Sequence, residues 1–139
     1  MAISADPTTN PAGFVLEVCD GRERKAKAAA AKRPGPYYAG AAGSVVAYGG
    51  KYVTGYTTES GSEVAEHIAA EANPDAVLAD VALWRGVVER HRSFEPRFGG
   101  GPSPRCSWCL THPEERISWP CPDLTAVVTA AQAYVGGTA

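Results

Sequence analysis

The chain has 139 residues, the length of one domain that can bury a substantial core. Hydrophobic residues make up 45% of it and charged residues 20%, a composition that excludes a wholly disordered chain. The formal charge of -2 removes the overall basic field of a non-specific nucleic-acid binder but leaves room for a local basic patch.

Targeting signals are not evident in the sequence. The apolar runs fall short of a transmembrane helix, and the start MAISADPTTNPAG lacks the basic and apolar regions of a signal peptide. We therefore expect a cytoplasmic protein without a membrane partner. Its four cysteines should be reduced thiols unless they bind a metal.

A long helix is the first predicted element. Asn10 and Pro11 form its start signal, an Asx cap followed by a proline in the first turn, and residues 14–32 favour helix. Residues 1–10 are predicted to be a flexible lead, and residues 11–139 a single α+β domain. The helix carries a basic cluster, which is either a solvated face or a patch for nucleic-acid phosphates or an acidic partner. That cluster consists of Arg22, Arg24, Lys25, Lys27, Lys32 and Arg33.

Strands and a pair of helices follow the first helix. Residues 44–48 and 51–56 read as a β-hairpin around Gly49-Gly50, because both glycines can adopt positive φ. A capping box at residues 60–63 predicts a short helix that contains His67. A helix over residues 74–91 has the clearest apolar periodicity, and its buried stripe ends at His91.

The C-terminal third is predicted to be a loop, a cysteine-containing turn and a helix. Residues 92–105 are rich in glycine and proline and indicate a loop that leads into Cys106. The last helix is predicted over residues 122–135, with Gly136-Gly137 ending it. The fold class is therefore α+β: a long N-terminal helix, a small antiparallel hairpin or meander, a helical pair, and a zinc-stapled C-terminal turn and helix.

Three cysteines carry the strongest chemical signal. Cys106 and Cys109 form a C-x-x-C turn, which places two thiolates close enough to bind one tetrahedral ion, and Cys121 follows between two prolines. We predict a zinc (Zn²⁺) site in about residues 91–121. A redox pair is disfavoured because a glycine- and proline-rich loop precedes the motif, rather than a strand of a βαβ unit. Cys19 is distant and is predicted to be a small buried hydrophobe.

Two histidines compete for the fourth zinc position. His91 ends the buried face of a helix, and its imidazole would point toward the region where the cysteines fold back. His112 lies closer in sequence, but three ligands within seven residues often strain a single turn. We favour His91 and leave His112 as the alternative.

The sequence does not predict an enzyme. Three cysteines and a histidine close the coordination shell, whereas a catalytic zinc keeps a position open for water. A zinc deaminase needs an H-x-E motif upstream of its cysteines, and here the matching letters, at His112, follow them. His67 is expected to be a packing or capping residue.

An ordered set of short motifs resembles an uncharacterised family of small proteins from actinobacteria and their phages. The family order is P-G-P-W, H-I-A, D-P-x-x-V-L, a helix ending in histidine, C-x-x-C and P-C. The corresponding residues here are Pro34-Gly35-Pro36-Tyr37, His67-Ile68-Ala69, Asn73-Pro74 with Val77-Leu78, His91, Cys106 with Cys109, and Pro120-Cys121. Tyr37 stands where the family has tryptophan, and the threonine and arginine that follow the family's P-C are not reproduced.

The resemblance implies a phage or prophage setting and supports His91 as the fourth ligand. We therefore expect a non-enzymatic accessory or binding protein with a structural zinc site and a protein partner, in the cytoplasm of a bacterial host. Two other functions stay open. One is a nucleic-acid-associated regulator that uses the basic first helix, and the other is a virion component such as a capsid-associated protein.

Overall fold

A computed structural model gives an α+β fold, as the sequence predicts. It describes residues 3–32, 35, 37–39, 45–47, 52–54, 69, 73–95, 104–110 and 116–137. Within these ranges there are three helices and two three-stranded antiparallel sheets. The helices are α1 (Pro11–Lys32), α2 (Pro74–Arg90) and α3 (Pro122–Gly137). The strands are β1 (Tyr37–Ala39), β2 (Val45–Ala47), β3 (Tyr52–Thr54), β4 (Ser93–Phe94), β5 (Arg105–Leu110) and β6 (Arg116–Ser118).

The chain divides into two compact units. The first comprises Met1–Asp20 and Ala82–Ala139, and the second comprises Gly21–Val81. Helices α1 and α2 each contribute residues to both units. The sheet β4-β5-β6 and helix α3 belong to the first unit, which also contains all the cysteines.

The second unit contains the sheet β1-β2-β3, an antiparallel meander. Val45 pairs with Thr54 and Val46 with Tyr52, so the register shifts between the two pairs, as at a β-bulge. The predicted glycine turn itself, the capping box at residues 60–63 and His67 lie outside the described residues. In the same unit, Arg22 forms an ion pair with Asp80.

In the first unit, hydrogen bonds connect the N-terminal residues that precede α1 to that helix. The Ser4 N–H and hydroxyl each donate to the Glu17 carboxylate over 2.7 Å, and these bonds lower the pKa of Glu17. Asn10 caps α1 through its side-chain oxygen, which accepts the Gly13 N–H over 3.0 Å. Flexibility of residues 1–10 stays a prediction, but residues 4 and 5 do have bonding partners in α1.

The core of the first unit follows the predicted apolar faces. Cys19 is fully buried, as expected of a small hydrophobe. The predicted stripe of α2 is buried in this unit at Trp84, Val88 and His91. The remaining buried hydrophobic side chains from α1 and α3 are Phe14, Val15, Val18, Leu124, Val128 and Ala131.

The predicted loop over residues 92–105 is wrong at both ends. Ser93–Phe94 form β4, which pairs with the start of β5, so that Ser93 lies opposite Cys106. Two residues are too short for a period-2 pattern to be visible in sequence. Helix α3 also continues through the two glycines that were expected to end it.

The Asn10 cap can be tested by substitution. Asn10→Ala should lower the free energy of unfolding by about 1 kcal/mol, because the Gly13 N–H loses its acceptor at the end of a helix. Asn10→Ser keeps a capping oxygen and should stay within about 0.5 kcal/mol of the parent. Urea denaturation followed by circular dichroism measures both. Equal losses for the two variants would contradict a capping role.

Candidate metal centre

His91 lies directly after the last residue of α2. Its N–H still donates to the Val87 carbonyl over 2.9 Å, so the backbone continues the helical bonding by one residue. Trp84 and Val88 precede it on the buried face, and the His91 side chain is 6% exposed. The 3–4 spacing of the stripe therefore carries the imidazole into the interior of the first unit.

Cys106 and Cys109 lie on β5, where the strand pairing is irregular. The pairing with β6 shifts register between Arg105 and Leu110, so β5 holds extra residues that bend its backbone. The amides of Trp108 and Cys109 both donate to the Cys106 sulfur over 3.4 Å. These amide dipoles stabilise negative charge on that sulfur, as a metal-binding thiolate requires.

Cys121 is both a candidate metal ligand and the cap of helix α3. Its carbonyl accepts the Thr125 N–H over 2.9 Å and its sulfur lies 3.5 Å from the Leu124 N–H. Pro122 occupies the first helical position, where its missing N–H costs nothing. The positive end of the α3 dipole therefore faces the sulfur and favours its thiolate form.

The four side chains converge on one point. The His91 Nδ1 lies 3.5 Å from the Cys106 sulfur, 3.3 Å from that of Cys109 and 3.3 Å from that of Cys121. All four ligand atoms lie within 4.8 Å of one another. With metal–sulfur bonds of about 2.3 Å and metal–nitrogen bonds of about 2.0 Å, a tetrahedral zinc ion separates its nitrogen and sulfur ligands by about 3.5 Å. The cluster could therefore hold a metal ion of that size.

At this spacing the three cysteine thiols change one another's pKa. Burial, followed by the adjacent Cys121 and Cys106 sulfurs, raises the pKa of Cys109 to about 12. Burial also raises the pKa of Cys121. Burial acts the same way on Cys106, but the amides of Cys109 and Trp108 together with hydrogen bonds from the Cys121 and Cys109 side chains outweigh it, and the pKa of that thiol is lowered. A divalent cation would remove the repulsion among the three thiolates.

Two further side chains hold the His91 backbone in place. The Ser107 hydroxyl donates to the Arg90 carbonyl over 2.7 Å and accepts the Arg92 N–H over 3.1 Å. The Trp119 indole N–H donates to the His91 carbonyl over 2.8 Å. The backbone on both sides of His91 is therefore held by two side chains. Ser107 follows Cys106 directly in sequence, and Trp119 precedes Cys121 by two residues.

Asp123, in the first turn of α3, lies beside the other imidazole nitrogen. Its carboxylate oxygen is 3.8 Å from the His91 Nε2 and 3.9 Å from the Cys109 sulfur. A carboxylate near the nitrogen that does not bind metal favours a proton there, which leaves Nδ1 free to act as the ligand.

The structure brings together the four residues predicted from the sequence, His91, Cys106, Cys109 and Cys121. His112 lies outside the described residues. Sequence reasoning missed Ser107, Trp119 and Asp123 as supporting residues. Their nearness to the cysteines was a weak signal, since it does not reveal which backbone atoms they contact.

Comparisons with protein-family models, with curated proteins and with solved structures found no match to this chain. The resemblance drawn from the order of short motifs therefore stays a prediction.

The Trp119 bond to His91 leads to a testable prediction. Trp119→Phe should weaken Co²⁺ or Zn²⁺ binding about 10- to 100-fold, because the His91 carbonyl loses its donor while all four ligands remain. Chelator competition measures the affinity. Trp108→Phe is the matched control, since Trp108 lies between Cys106 and Cys109 in sequence and its side chain is 63% exposed. A similar loss in both variants would contradict the positioning role.

Proposed function

We propose that this protein is a non-enzymatic accessory or binding protein whose Cys106, Cys109, Cys121 and His91 hold a structural zinc ion. The observation that supports this most is the convergence of three sulfurs within 3.5 Å of one imidazole nitrogen. Soft thiolates with one imidazole in a tetrahedron suit zinc better than the harder magnesium or calcium ions.

A structural role fits the ligand set better than a catalytic one. Four protein ligands complete a tetrahedral shell and leave no position for a reacting water. The ligands come from the end of α2, from β5 and from the start of α3, so that one ion would connect three elements. Cys106 is the one side chain of β4, β5 and β6 that is buried among the described residues. The sheet therefore has little apolar core of its own, and metal bonds would hold it to the helices.

The biological context of the protein is proposed on the basis of the family resemblance. We propose that the protein acts in a phage or prophage context, in the cytoplasm of a bacterial host, through a protein partner. None of the described helices combines the length and the apolar character needed to cross a membrane. A tagged copy expressed during phage infection, followed by mass spectrometry of captured proteins, tests for the partner.

The zinc content of the purified protein is the direct test. Protein prepared under reducing conditions without a chelator should contain about one zinc per chain by elemental analysis, because three thiolates and one imidazole satisfy the ion. Chelation should increase amide hydrogen exchange in residues 91–121, since the elements that the metal joins would separate. A reduced preparation free of zinc would dismiss the site.

Single substitutions identify the ligands. His91→Ala should weaken zinc retention, whereas His112→Ala should have little effect. Cys19→Ala is the control for the cysteines, because Cys19 is buried in α1 and is not among the four clustered residues. Zinc lost on replacing His112 and kept on replacing His91 would show that the fourth ligand is wrongly assigned.

A nucleic-acid-associated regulator is the second candidate, supported by exposed cations on α1. Arg24, Lys25 and Lys27 are exposed, although Lys27 forms an ion pair with Glu23 over 2.8 Å. Arg22 is less suited to bind phosphate because its guanidinium pairs with Asp80 and its side chain is only 11% exposed. Arg33 lies outside the described residues.

Charge reversal tests this second candidate. Arg24→Glu combined with Lys27→Glu should abolish salt-dependent binding of DNA or RNA at low ionic strength without unfolding the protein. Fluorescence anisotropy measures binding, and circular dichroism checks the fold. Binding that survives the double substitution would exclude this helix as the site. For the third candidate, a virion component, co-purification with intact particles is the corresponding test.

A further inference from the structure

A second feature of the first unit is a cavity of about 610 Å³ beside the metal centre. Leu16 of α1, Val88 of α2 and Trp119 provide its apolar lining, and Arg92 and Ser93 also line it. Its volume lies in the range of ligand-binding sites, which is about 300–1,000 Å³. The metal site described above does not use this space.

The edge of a sheet lies at this cavity. Strand β4 pairs with β5, and among the described residues no strand pairs with its other side. The Ser107 N–H donates to the Arg92 carbonyl, so Ser93 and Cys106 form the non-hydrogen-bonded pair of the ladder. In such a pair the N–H and C=O of each residue point away from the partner strand. The Ser93 backbone groups therefore point away from β5, toward the side of β4 that pairs with no described strand.

The charged residues of the cavity are not equivalent. Arg85 forms an ion pair with Asp20 over 2.7 Å. Arg92 is exposed, and no ion pair recorded for the described residues uses its guanidinium. Glu89, on the same wall, carries the opposite charge and would repel an anion placed near it. An acidic group on a ligand would therefore be directed toward Arg92.

We propose that this cavity binds an extended peptide segment of a partner protein, with an apolar side chain against Leu16, Val88 and Trp119 and an acidic side chain paired with Arg92. The peptide backbone would add to the open edge of β4 through the Ser93 N–H and C=O. Strand addition provides affinity through backbone bonds, and the pocket provides specificity through alternate side chains. This inference does not require that the metal be zinc, and it assigns a binding surface to the accessory role proposed above.

The test starts from a displayed library of linear peptides of about ten residues, selected against the full chain as purified. The enriched sequences should share an apolar residue with Asp or Glu about two positions away, since alternate residues of a strand share a face. A synthetic peptide of the enriched sequence then serves as the probe. Its binding should shift the amide signals of Val88, Ser93 and Trp119 in NMR spectra, with the Ser93 amide proton becoming protected from exchange.

Three variants examine the three parts of the site. Leu16→Asp should weaken the probe peptide about tenfold or more by placing a charge in the apolar lining. Arg92→Glu should weaken it about tenfold by repelling the acidic side chain. Ser93→Pro should also weaken it about tenfold, because it removes an N–H that the β4–β5 ladder does not use. The metal content of each variant, measured on the same sample, shows whether the site remained folded.

Leu83→Asp is the matched control for the apolar contact. Leu83 is 59% exposed on α2 and does not line the cavity, so this variant should bind the peptide like the parent. Failure to enrich any linear peptide would overturn the proposal, as would a probe that binds Leu16→Asp and Leu83→Asp equally well. A co-purified small molecule that maps to the cavity would also overturn it. None of these three results decides whether the protein contains zinc, which elemental analysis reports separately.

Discussion

The contact of three cysteine sulfurs with one imidazole nitrogen is the constraint on which the C-terminal part of the first unit depends. Burial and the neighbouring sulfurs raise the pKa of Cys109 to about 12, so without a cation this thiol stays protonated. A divalent cation reverses this preference, because each thiolate is then attracted to the positive charge that lies between the sulfurs. The side chains of β4, β5 and β6 are otherwise half-buried or exposed where they are described. Hydrophobic burial therefore contributes little to holding this sheet, in contrast to the apolar faces of the three helices.

Several residues of this region carry out two tasks, which explains how a short segment can position four ligands. The Cys121 sulfur accepts the Leu124 N–H at the start of α3 and also belongs to the cluster. Ser107 lies between two ligands in sequence, and its hydroxyl bridges the backbone on both sides of His91. A hydroxyl can both donate and accept, so one serine satisfies the last carbonyl of α2 and the amide that follows His91. The irregular part of β5 also directs the amides of Trp108 and Cys109 at the Cys106 sulfur.

The sequence predicted the parts of the fold that depend on long periodic patterns. The stripe that ends at His91 spans four turns, so its burial could be inferred without knowing what covers it. The clustering of the three cysteines was predictable because C-x-x-C with a third cysteine is typical of metal coordination regardless of the fold. The sheet β4-β5-β6 was missed because its strands are two to six residues long and have few apolar side chains. The Trp119 bond to the His91 carbonyl was not predictable, since it joins residues 28 positions apart through a backbone atom.

The candidate metal centre and the proposed peptide site are formed in part by neighbouring residues, and this has a thermodynamic consequence. Arg92 and Ser93 follow His91 directly, and Trp119 lines the cavity while its indole N–H holds the His91 carbonyl. A metal that fixes His91 also fixes the backbone to which the peptide would pair, and so lowers the conformational entropy lost when the peptide binds. Linkage then requires the reverse effect: the bound peptide must tighten metal binding by the same factor. In the proposed arrangement a structural metal ion would therefore also be a determinant of partner affinity.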